Sequence, residues 1–266
     1  MTNAPRLAVV TGASRGIGRE IAVTLAREGW DVAFSHLAEP AEATEVSGLI
    51  AAAGRKVLAV RCDVGVKAEV WAFYDSVLTT FGRAPDLLVN NAGVQTWAPL
   101  LELAEADWDR VIRTNLKGCF LNTQRAAQLM VEHGIRGAII NLGSACNKIA
   151  FPRLVDYTAS KGGIEQFTKV SAVELGPHGI RVNCVAPGAI EHERTKLEAP
   201  DYAKTWAAIT PLGRVGSTGD VARVVHFLAT DGAGFVTGQT IYVDGGAFSM
   251  PNWPYPPRGK SAESRA

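Results

Sequence analysis

Short apolar runs alternate along the chain with longer segments in which apolar residues recur at helical spacing. Each run is almost continuously hydrophobic, which is typical of strands that are buried on both faces of a parallel sheet. Seven runs fit this description: Leu7–Val10, Val32–Phe34, Val57–Val60, Leu87–Val89, Ala138–Leu142, Ile180–Val185 and Thr240–Val243. They are predicted to be the strands of one sheet.

Helical periodicity occupies the segments between these runs. In the first segment, Ile17, Ile21, Ala22 and Leu25 share one face, and Gly29 ends the predicted helix. The other predicted helices cover residues 41–53, 67–80, 105–132, 154–175 and 218–229. Regular alternation of strands and helices indicates βαβ units. The predicted fold class is therefore α/β, a doubly wound (Rossmann), mostly parallel seven-stranded sheet with helices on both faces.

Residues 1–250 are predicted to form one domain, because the length suits a single large α/β domain. The pattern ends at residues 251–257, PNWPYPP, where four prolines in seven residues cannot continue a helix or a central strand. Residues 251–266 are therefore predicted to be a Pro-rich C-terminal tail.

Composition and charge narrow the possible partners. Lys and Arg total 27 and Asp and Glu total 26, which gives a formal net charge of +1, and 47% of the residues are hydrophobic. The chain is too apolar for a disordered protein, and its charge predicts no general attraction to nucleic acid or anionic lipid. The uncharged stretch Leu87–Leu101 contains Asn, Gln, Gly and Pro, so it is not predicted to span a membrane.

The cysteine pattern and the N-terminal segment indicate the cellular compartment in which the protein is expected. The four cysteines form no C-x-x-C motif and no cluster with histidine, so no metal site is predicted. Buried free thiols of a reducing compartment are the simpler interpretation. Residues 1–6 lack the apolar segment of a signal peptide. We therefore expect a soluble, cytoplasmic protein.

A Gly-rich segment, Thr11–Gly18, joins the first predicted strand to the first predicted helix. Such a turn lets backbone amides approach a pyrophosphate, and the N-terminus of the helix adds a favourable dipole. The same residues also match G-x-S-x-G, the nucleophile elbow of hydrolases. That alternative needs an acidic residue and a histidine downstream, and none of the five histidines lies in a recognisable setting.

Tyr157 and Lys161 are four residues apart in a predicted helix, so they share one face. A free tyrosine has a pKa of about 10, and a nearby ammonium favours its ionised form. Ser144 follows a strand at the edge of the sheet where α/β proteins bind ligands. We predict that Tyr157 is the general acid/base, that Lys161 tunes it and holds the cofactor ribose, and that Ser144 orients the substrate.

Further motifs follow the predicted strands in order. They are Asp63-Val64, Asn90-Asn91-Ala92-Gly93, Asn141-Leu142-Gly143-Ser144, Tyr157-Thr158-Ala159-Ser160-Lys161, and Arg181-Val182-Asn183 before Pro187-Gly188. With the T-G-x-x-x-G-x-G turn, they make residues 7 to about 248 resemble the short-chain dehydrogenase/reductase family. The resemblance implies hydride transfer between a nicotinamide cofactor and a secondary alcohol or carbonyl compound.

The resemblance also implies roles for individual positions. Asn115 would be a further catalytic residue, the anchor of a water relay, and a substrate lid would lie near residues 189–215. Such enzymes are commonly tetramers, so a homotetramer is expected. The implied cofactor-binding residues are Gly12, Ser14, Arg15, Gly16, Ile17, Gly18, His36, Asp63, Val64, Asn91, Ala92, Gly93, Tyr157, Lys161, Pro187, Gly188 and Ile190.

The end of the second strand bears on the choice of cofactor. NAD-selective enzymes commonly carry an acidic residue there that hydrogen-bonds the ribose 2′-hydroxyl. Here the strand ends Phe34-Ser35-His36-Leu37, without a carboxylate. Arg15 lies where NADP-binding relatives place a cation. NADP(H) is therefore favoured, and NAD(H) stays possible.

The substrate is less well defined by the sequence. Residues 144–152, 158–163 and 238–246 are most similar to sugar dehydrogenases of the glucose 1-dehydrogenase type, and Gln95 is a candidate contact for a sugar hydroxyl. Ser144 and Tyr157 are the other predicted substrate contacts. The alternative is a 3-oxoacyl-(acyl carrier protein) reductase, which would benefit from a basic patch for an acidic carrier. Arg125, Arg136 and Lys148 are candidates for that patch.

Two further features limit these interpretations. Glu191-His192-Glu193-Arg194 stands where many relatives place a threonine that touches the cofactor phosphates, and Thr195 comes later. A catalytically inactive NADP-binding scaffold or sensor is an alternative of another class. Loss of Ser144, Tyr157 or Lys161 would favour it, but all three are present.

Overall fold

The computed structural model describes residues 5–37 and 40–249, apart from the side chains of Arg194 and Glu198. Seven parallel strands form the main sheet, in the order β3-β2-β1-β4-β5-β6-β9. They are β1 (Leu7–Val10), β2 (Asp31–His36), β3 (Val57–Arg61), β4 (Leu87–Asn90), β5 (Ala138–Leu142), β6 (Arg181–Pro187) and β9 (Thr240–Val243). The short strands β7 (Ile190–Glu191) and β8 (Gly216–Ser217) pair separately.

Helices cover both faces of this sheet. They are α1 (Gly16–Arg27), α2 (Pro40–Ala52), α3 (Lys67–Phe81), α4 (Glu105–Val111), α5 (Gly118–Glu132), α6 (Val155–Leu175), α7 (Glu193–Glu198), α8 (Tyr202–Ile209) and α9 (Thr218–Ala229). Short 3₁₀ turns occupy Leu100–Glu102, Ala145–Asn147, Gly176–His178 and Asp231–Ala233. The predicted fold class is confirmed.

Alternate side chains of the strands fill two hydrophobic layers. In β1, Ala8 and Val10 pack in the layer that includes α1, α2 and α9, whereas Leu7 and Val9 pack in the layer with α3, α5 and α6. All four side chains are fully buried. This double burial explains why the strands are continuously apolar.

The order of the strands reverses between β1 and β4. In doubly wound sheets the crevice at such a reversal, outside the carboxyl ends of the strands, is where ligands bind. The Gly-rich turn follows β1, and the Asn90–Gly93 segment follows β4. The topology therefore brings these two segments to one crevice.

The helix predicted over residues 105–132 is interrupted. Regular helix ends at Val111, a π-helical segment occupies Ile112–Lys117, and α5 resumes at Gly118. This finding corrects the prediction of one continuous helix, because hydrophobic periodicity does not report a change of winding. The interruption places Asn115 in the irregular segment, and such segments occur frequently at functional sites.

The region predicted as the lid contains β7, α7, α8 and β8, which the sequence analysis did not resolve into elements. Its role as a lid stays a prediction, and the Pro-rich tail lies outside the described residues. Within the described chain, no helix combines the length and apolarity needed to cross a membrane. Cys62, Cys119, Cys146 and Cys184 are buried, as predicted.

Candidate active site

The turn between β1 and α1 depends on glycine at two points. Gly12 and Gly16 have φ angles of +63° and +57°, in the left-handed region that favours glycine. A Cβ atom on Gly12 would also lie 2.8 Å from the Cα atom of Ala92, so the turn touches the segment after β4. These glycines therefore set both the shape of the turn and its distance from β4.

Asn91 and Thr11 hold the turn against the end of β4. The Asn91 side-chain amide donates hydrogen bonds to the carbonyl oxygens of Thr11 and Gly12, each at 2.9 Å. The Thr11 hydroxyl oxygen accepts from the backbone N–H groups of Asn91 and Ala92, each at 3.0 Å. Asn91 is therefore a support for the turn, as well as a predicted cofactor-binding residue.

The N-terminus of α1 is suited to an anionic group. Arg15 is the N-cap residue, its side chain makes no capping hydrogen bond, and the first turn of α1 contains no acidic residue. A Cβ atom on Gly16 would meet no atom within 4 Å. The uncapped helix start without acidic residues fits the pyrophosphate of a dinucleotide.

Ser14 is 7% exposed within this turn, and Ile17 is half-buried. A nucleophile elbow presents its serine hydroxyl to the substrate at an exposed point of the turn. The burial of Ser14 therefore disfavours the hydrolase interpretation.

Two of the implied cofactor-binding residues, Asp63 and Val64, are fixed by contacts within the chain. One carboxylate oxygen of Asp63 accepts from the Gly65 N–H at 2.9 Å, and the other lies 3.0 Å from the Arg113 guanidinium. Val64 is buried against Gly118, where a Cβ atom would approach its side chain to 2.7 Å. Asp63 and Val64 are thus held in fixed positions by their neighbours.

Lys161 joins α6 to the end of β5. Its Nζ atom donates to the Leu142 carbonyl oxygen at 2.7 Å and lies 5.5 Å from the centre of the Tyr157 ring. Ser144 follows Leu142 by two residues, and its hydroxyl oxygen accepts from the Cys146 N–H at 3.3 Å. The Ser144 hydrogen is not used in that bond, so it can be donated to a substrate oxygen.

Lys161 is buried, with 4% of the residue exposed. Burial lowers the pKa of this lysine, although the neighbouring thiols Cys184, Cys119 and Cys146 oppose the shift. An ammonium has three N–H donors, and the hydrogen bond to Leu142 uses one of them. Further acceptors, such as ribose hydroxyls, would therefore stabilise the charged form.

Asn115 links three parts of the site. Its side-chain oxygen accepts from the Val94 N–H at 2.8 Å, and its nitrogen donates to the Val94 carbonyl at 2.9 Å and to the Ser160 hydroxyl at 3.0 Å. Asn115 is 1% exposed. Because these bonds engage both ends of the amide, the side chain acts here as a positioning group that joins the loop after β4 to α6.

A buried polar chain fixes the ends of β4 and β5. The Asn90 amide nitrogen donates to the Thr123 hydroxyl at 2.9 Å and to the Asn141 side-chain oxygen at 2.8 Å, and the Asn141 nitrogen donates to the Thr168 hydroxyl at 2.9 Å. These four side chains are buried. They tie both strands to α5 and α6.

Three cationic or titratable residues lie near the predicted 2′-phosphate position. Arg15 is exposed and forms no ion pair within the described chain, and His36 is half-buried at the end of β2. Arg61 ends β3 in register with His36, and its guanidinium lies 3.5 Å from a Glu69 oxygen. Ser35, in contrast, is buried, and its hydroxyl accepts from the Gly12 N–H at 3.3 Å.

The remaining predicted residues lie at the other end of the crevice. Pro187 ends β6, and Ile190 is buried in β7. A Cβ atom on Gly188 would lie 2.7 Å from that of Asp244, so only glycine fits there. Gln95 is half-buried after β4. The Thr195 hydroxyl is occupied at the start of α7, where it bonds the backbone of residue 192.

Sequence reasoning missed Thr11, Ser160, Arg113 and Arg61 as contributors to the site. Thr11 and Ser160 stand inside recognised motifs, but small hydroxyl residues give no sign of their partners. Arg61 could have been found, because it ends a predicted strand next to the one that carries His36. Arg113 gave no local signal, since its contact with Asp63 joins distant parts of the chain.

The doubly wound sheet and its Gly-rich strand-to-helix turn are typical of dinucleotide-binding enzymes. Residues 12–247 match the family model described as enoyl-(acyl carrier protein) reductase. The chain belongs to the short-chain dehydrogenase/reductase family, whose members bind NAD(P) and act on hydroxyl or carbonyl groups.

Relatives within this family include acyl thioester enzymes. A 3-oxoacyl-(acyl-carrier-protein) reductase of Staphylococcus aureus (strain Mu50 / ATCC 700699) is 42% identical, over 91% of this chain and 97% of the relative. A human (3R)-3-hydroxyacyl-CoA dehydrogenase is 40% identical, over 91% of this chain and 95% of the relative. The solved structure of a protein assigned as a gluconate dehydrogenase, from Agrobacterium tumefaciens, is 35% identical with a TM-score of 0.86, covering 92% and 97% of the two chains.

We expect Gly18→Ala to weaken both folding and cofactor binding. A Cβ atom there would lie 2.3 Å from the Asn91 amide nitrogen and 2.5 Å from the Gly12 carbonyl oxygen, so the bonds that hold the turn must break. Overpacking of this kind costs about 1–3 kcal/mol. Thermal unfolding and fluorescence titration with NADPH measure the two effects.

Gly48→Ala is the matched control, because Gly48 lies within α2 and its Cβ position meets no atom within 4 Å. It should leave cofactor affinity unchanged and stabilise the helix by about 0.5–1 kcal/mol. Equal effects of the two substitutions would contradict the packing argument.

Proposed function

We propose that this chain is an NADPH-dependent reductase of 3-oxoacyl thioesters. The observation that carries the proposal is the position of Lys161, whose Nζ atom bonds the Leu142 carbonyl two residues before Ser144 and lies 5.5 Å from the centre of the Tyr157 ring. The two acyl thioester relatives, at 42% and 40% identity over 91% of the chain, support this substrate class over a sugar. We therefore favour the alternative prediction, a 3-oxoacyl-(acyl carrier protein) reductase, over the sugar dehydrogenase.

Aromatic side chains around the predicted lid support a partly apolar substrate. Trp206 of α8 packs near Phe151 and Phe248, with ring centres 6.4 and 5.9 Å apart. Phe151 lies seven residues after Ser144. A Cβ atom on Gly188 would lie 3.2 Å from the Phe248 ring. This cluster joins the loop after Ser144 to the lid, so an acyl chain that enters beneath the lid would meet aromatic surface.

The structure separates the three basic residues considered for an acidic carrier. Arg125 lies on α5 and pairs with Asp75 at 3.1 Å. Arg136 precedes β5, whereas Lys148 follows it, so the two lie at opposite edges of the sheet. These residues do not form one patch. We therefore propose a 3-oxoacyl thioester as the substrate and do not assign the carrier to which the acyl group is attached.

The proposed mechanism assigns one step to each side chain. Ser144 donates a hydrogen bond to the C3 carbonyl oxygen and fixes the carbonyl in the crevice. When bound, NADPH supplies the hydride that adds to C3. Tyr157 gives its phenolic proton to the oxygen as negative charge develops there, and Lys161 favours the resulting tyrosinate. Asn115 keeps α6 and the loop after β4 in register through Ser160 and Val94.

Selectivity for NADPH follows from the charges at the ends of β2 and β3. Arg15, His36 and Arg61 would attract a 2′-phosphate, and the described end of β2 carries no carboxylate to repel it. The pair between Arg61 and Glu69 is 3.5 Å long and exposed, so a phosphate could compete for the guanidinium.

A sugar dehydrogenase is the second candidate function. The structural similarity to a protein assigned as a gluconate dehydrogenase favours it, and Gln95 offers an amide to a hydroxyl group. The inactive scaffold is the weakest candidate, because the catalytic side chains are present and Lys161 is held beside Tyr157.

Acetoacetyl-CoA should therefore support NADPH oxidation, followed as loss of absorbance, whereas a panel of aldoses should not support NADP⁺ reduction. Tyr157→Phe should lower the rate with acetoacetyl-CoA by about 10²–10⁴-fold, the usual contribution of general acid catalysis. Tyr74→Phe is the matched control, because Tyr74 is a buried residue of α3 whose hydroxyl donates to the Asn122 carbonyl at 3.3 Å. Aldose turnover without thioester turnover would select the second candidate.

His36→Asp should raise the Michaelis constant for NADPH more than that for NADH. The new carboxylate would repel the 2′-phosphate but could hydrogen-bond a 2′-hydroxyl. His36→Asn is the control, since it removes the imidazole without adding charge and should change the ratio less. If His36→Asp shifts both constants equally, the assignment of the 2′-phosphate position is wrong.

The homotetramer is also a proposal. On α5 and α6, the apolar side chains of Phe120, Val170 and Val173 are 42%, 57% and 78% exposed. Association through these helices would bury them. Light scattering coupled to gel filtration should give four times the chain mass of 28.3 kDa. A mass equal to one chain at micromolar concentration would refute this assembly.

A further inference from the structure

A second cleft lies at the amino-terminal edge of the sheet, opposite the candidate active site. Its volume is about 200 Å³. It is lined by residues that immediately precede or begin strands, together with the segment after α9. The side chains that matter are Arg6, Trp30, Asp86, Arg136, Arg181 and Asp231.

The three guanidinium groups in this cleft have no ion-pair partner within the described chain. Arg6 stacks on the Trp30 ring, with 4.3 Å between its Cζ atom and the ring centre. The side chain of Arg136 lies against Gly179, and an Arg181 Nη2 hydrogen is donated to the Thr230 carbonyl at 3.3 Å. Each arginine therefore has a neutral group as a direct contact.

The two carboxylates of the cleft do not balance these charges. Asp86 is already paired with Arg83 and accepts from the Leu7 N–H at 2.7 Å. Asp231 raises the pKa of Arg181, but burial outweighs this effect and lowers that pKa overall. The lining thus carries an excess of positive charge.

Two buried donors in the cleft wall lack acceptors. The Nη1 atom of Arg181 and the Nε1 atom of Trp30 are inaccessible to solvent and make no hydrogen bond with a described residue. Leaving a buried donor unpaired is costly, so such atoms usually have a partner. An acceptor that enters the cleft would be positioned close to both side chains.

We propose that this cleft binds a small dianionic oxyanion, of the phosphate or dicarboxylate class. Guanidinium groups present paired donors that match the oxygens of such anions. The volume is below the usual range of sites for drug-sized ligands, which excludes a whole nucleotide. The site does not depend on the proposed reductase activity, since β5 and β6 separate it from the catalytic edge.

Calorimetric titration of the holoenzyme with inorganic phosphate tests the proposal. NADP⁺ is kept saturating so that the phosphate positions of the active-site crevice are filled, and sodium chloride holds the ionic strength constant. Succinate, titrated in parallel, distinguishes the two ligand classes. Saturable binding of at least one anion is expected, and Arg136→Gln and Arg6→Gln should each weaken it at least fivefold.

Arg125→Gln is the matched control, because Arg125 pairs with Asp75 on α3, away from the cleft. It should leave the affinity unchanged. The proposal fails if neither anion binds saturably. It also fails if the cleft variants bind as tightly as Arg125→Gln, because the anion would then occupy another site.

Discussion

Lys161 is a buried residue, 4% exposed, and its ammonium group donates one hydrogen to the carbonyl of Leu142. A buried charge is tolerated only where the geometry around it is well satisfied. This requirement keeps α6 close to the end of β5, which in turn sets the separation of Tyr157 from Ser144. The proposed catalytic arrangement therefore depends on how this buried charge is accommodated.

Other buried polar side chains fix the elements around Lys161. The chain from Asn90 to Thr168 fixes the strand ends, and Asn115 connects the neighbouring loop to Ser160. On the other side, Asn91 holds the Gly-rich turn while the helix start behind Gly16 stays open. A binding site for a dissociable cofactor needs fixed side chains around it and an open entrance, and this arrangement provides both.

Much of this architecture could be predicted from the sequence. The seven strands were recognisable because burial on both faces makes them continuously apolar, and Tyr157 and Lys161 were recognisable from their spacing. The π-helical segment around Asn115 and the contact of Arg113 with Asp63 were not. The first depends on a change in backbone winding that leaves side-chain periodicity nearly intact, and the second joins residues 50 positions apart.

Tyr157 and Lys161 are proposed to act as one catalytic unit, and a double-mutant cycle measures their coupling directly. Single-turnover rates of thioester reduction at saturating NADPH would be compared for Tyr157→Phe, Lys161→Met and the double variant. If Lys161 acts through Tyr157, the double variant should be about as slow as the slower single variant. If the fold-loss in rate of the double variant equals the product of the two single losses, the side chains act independently and the proposed coupling is wrong.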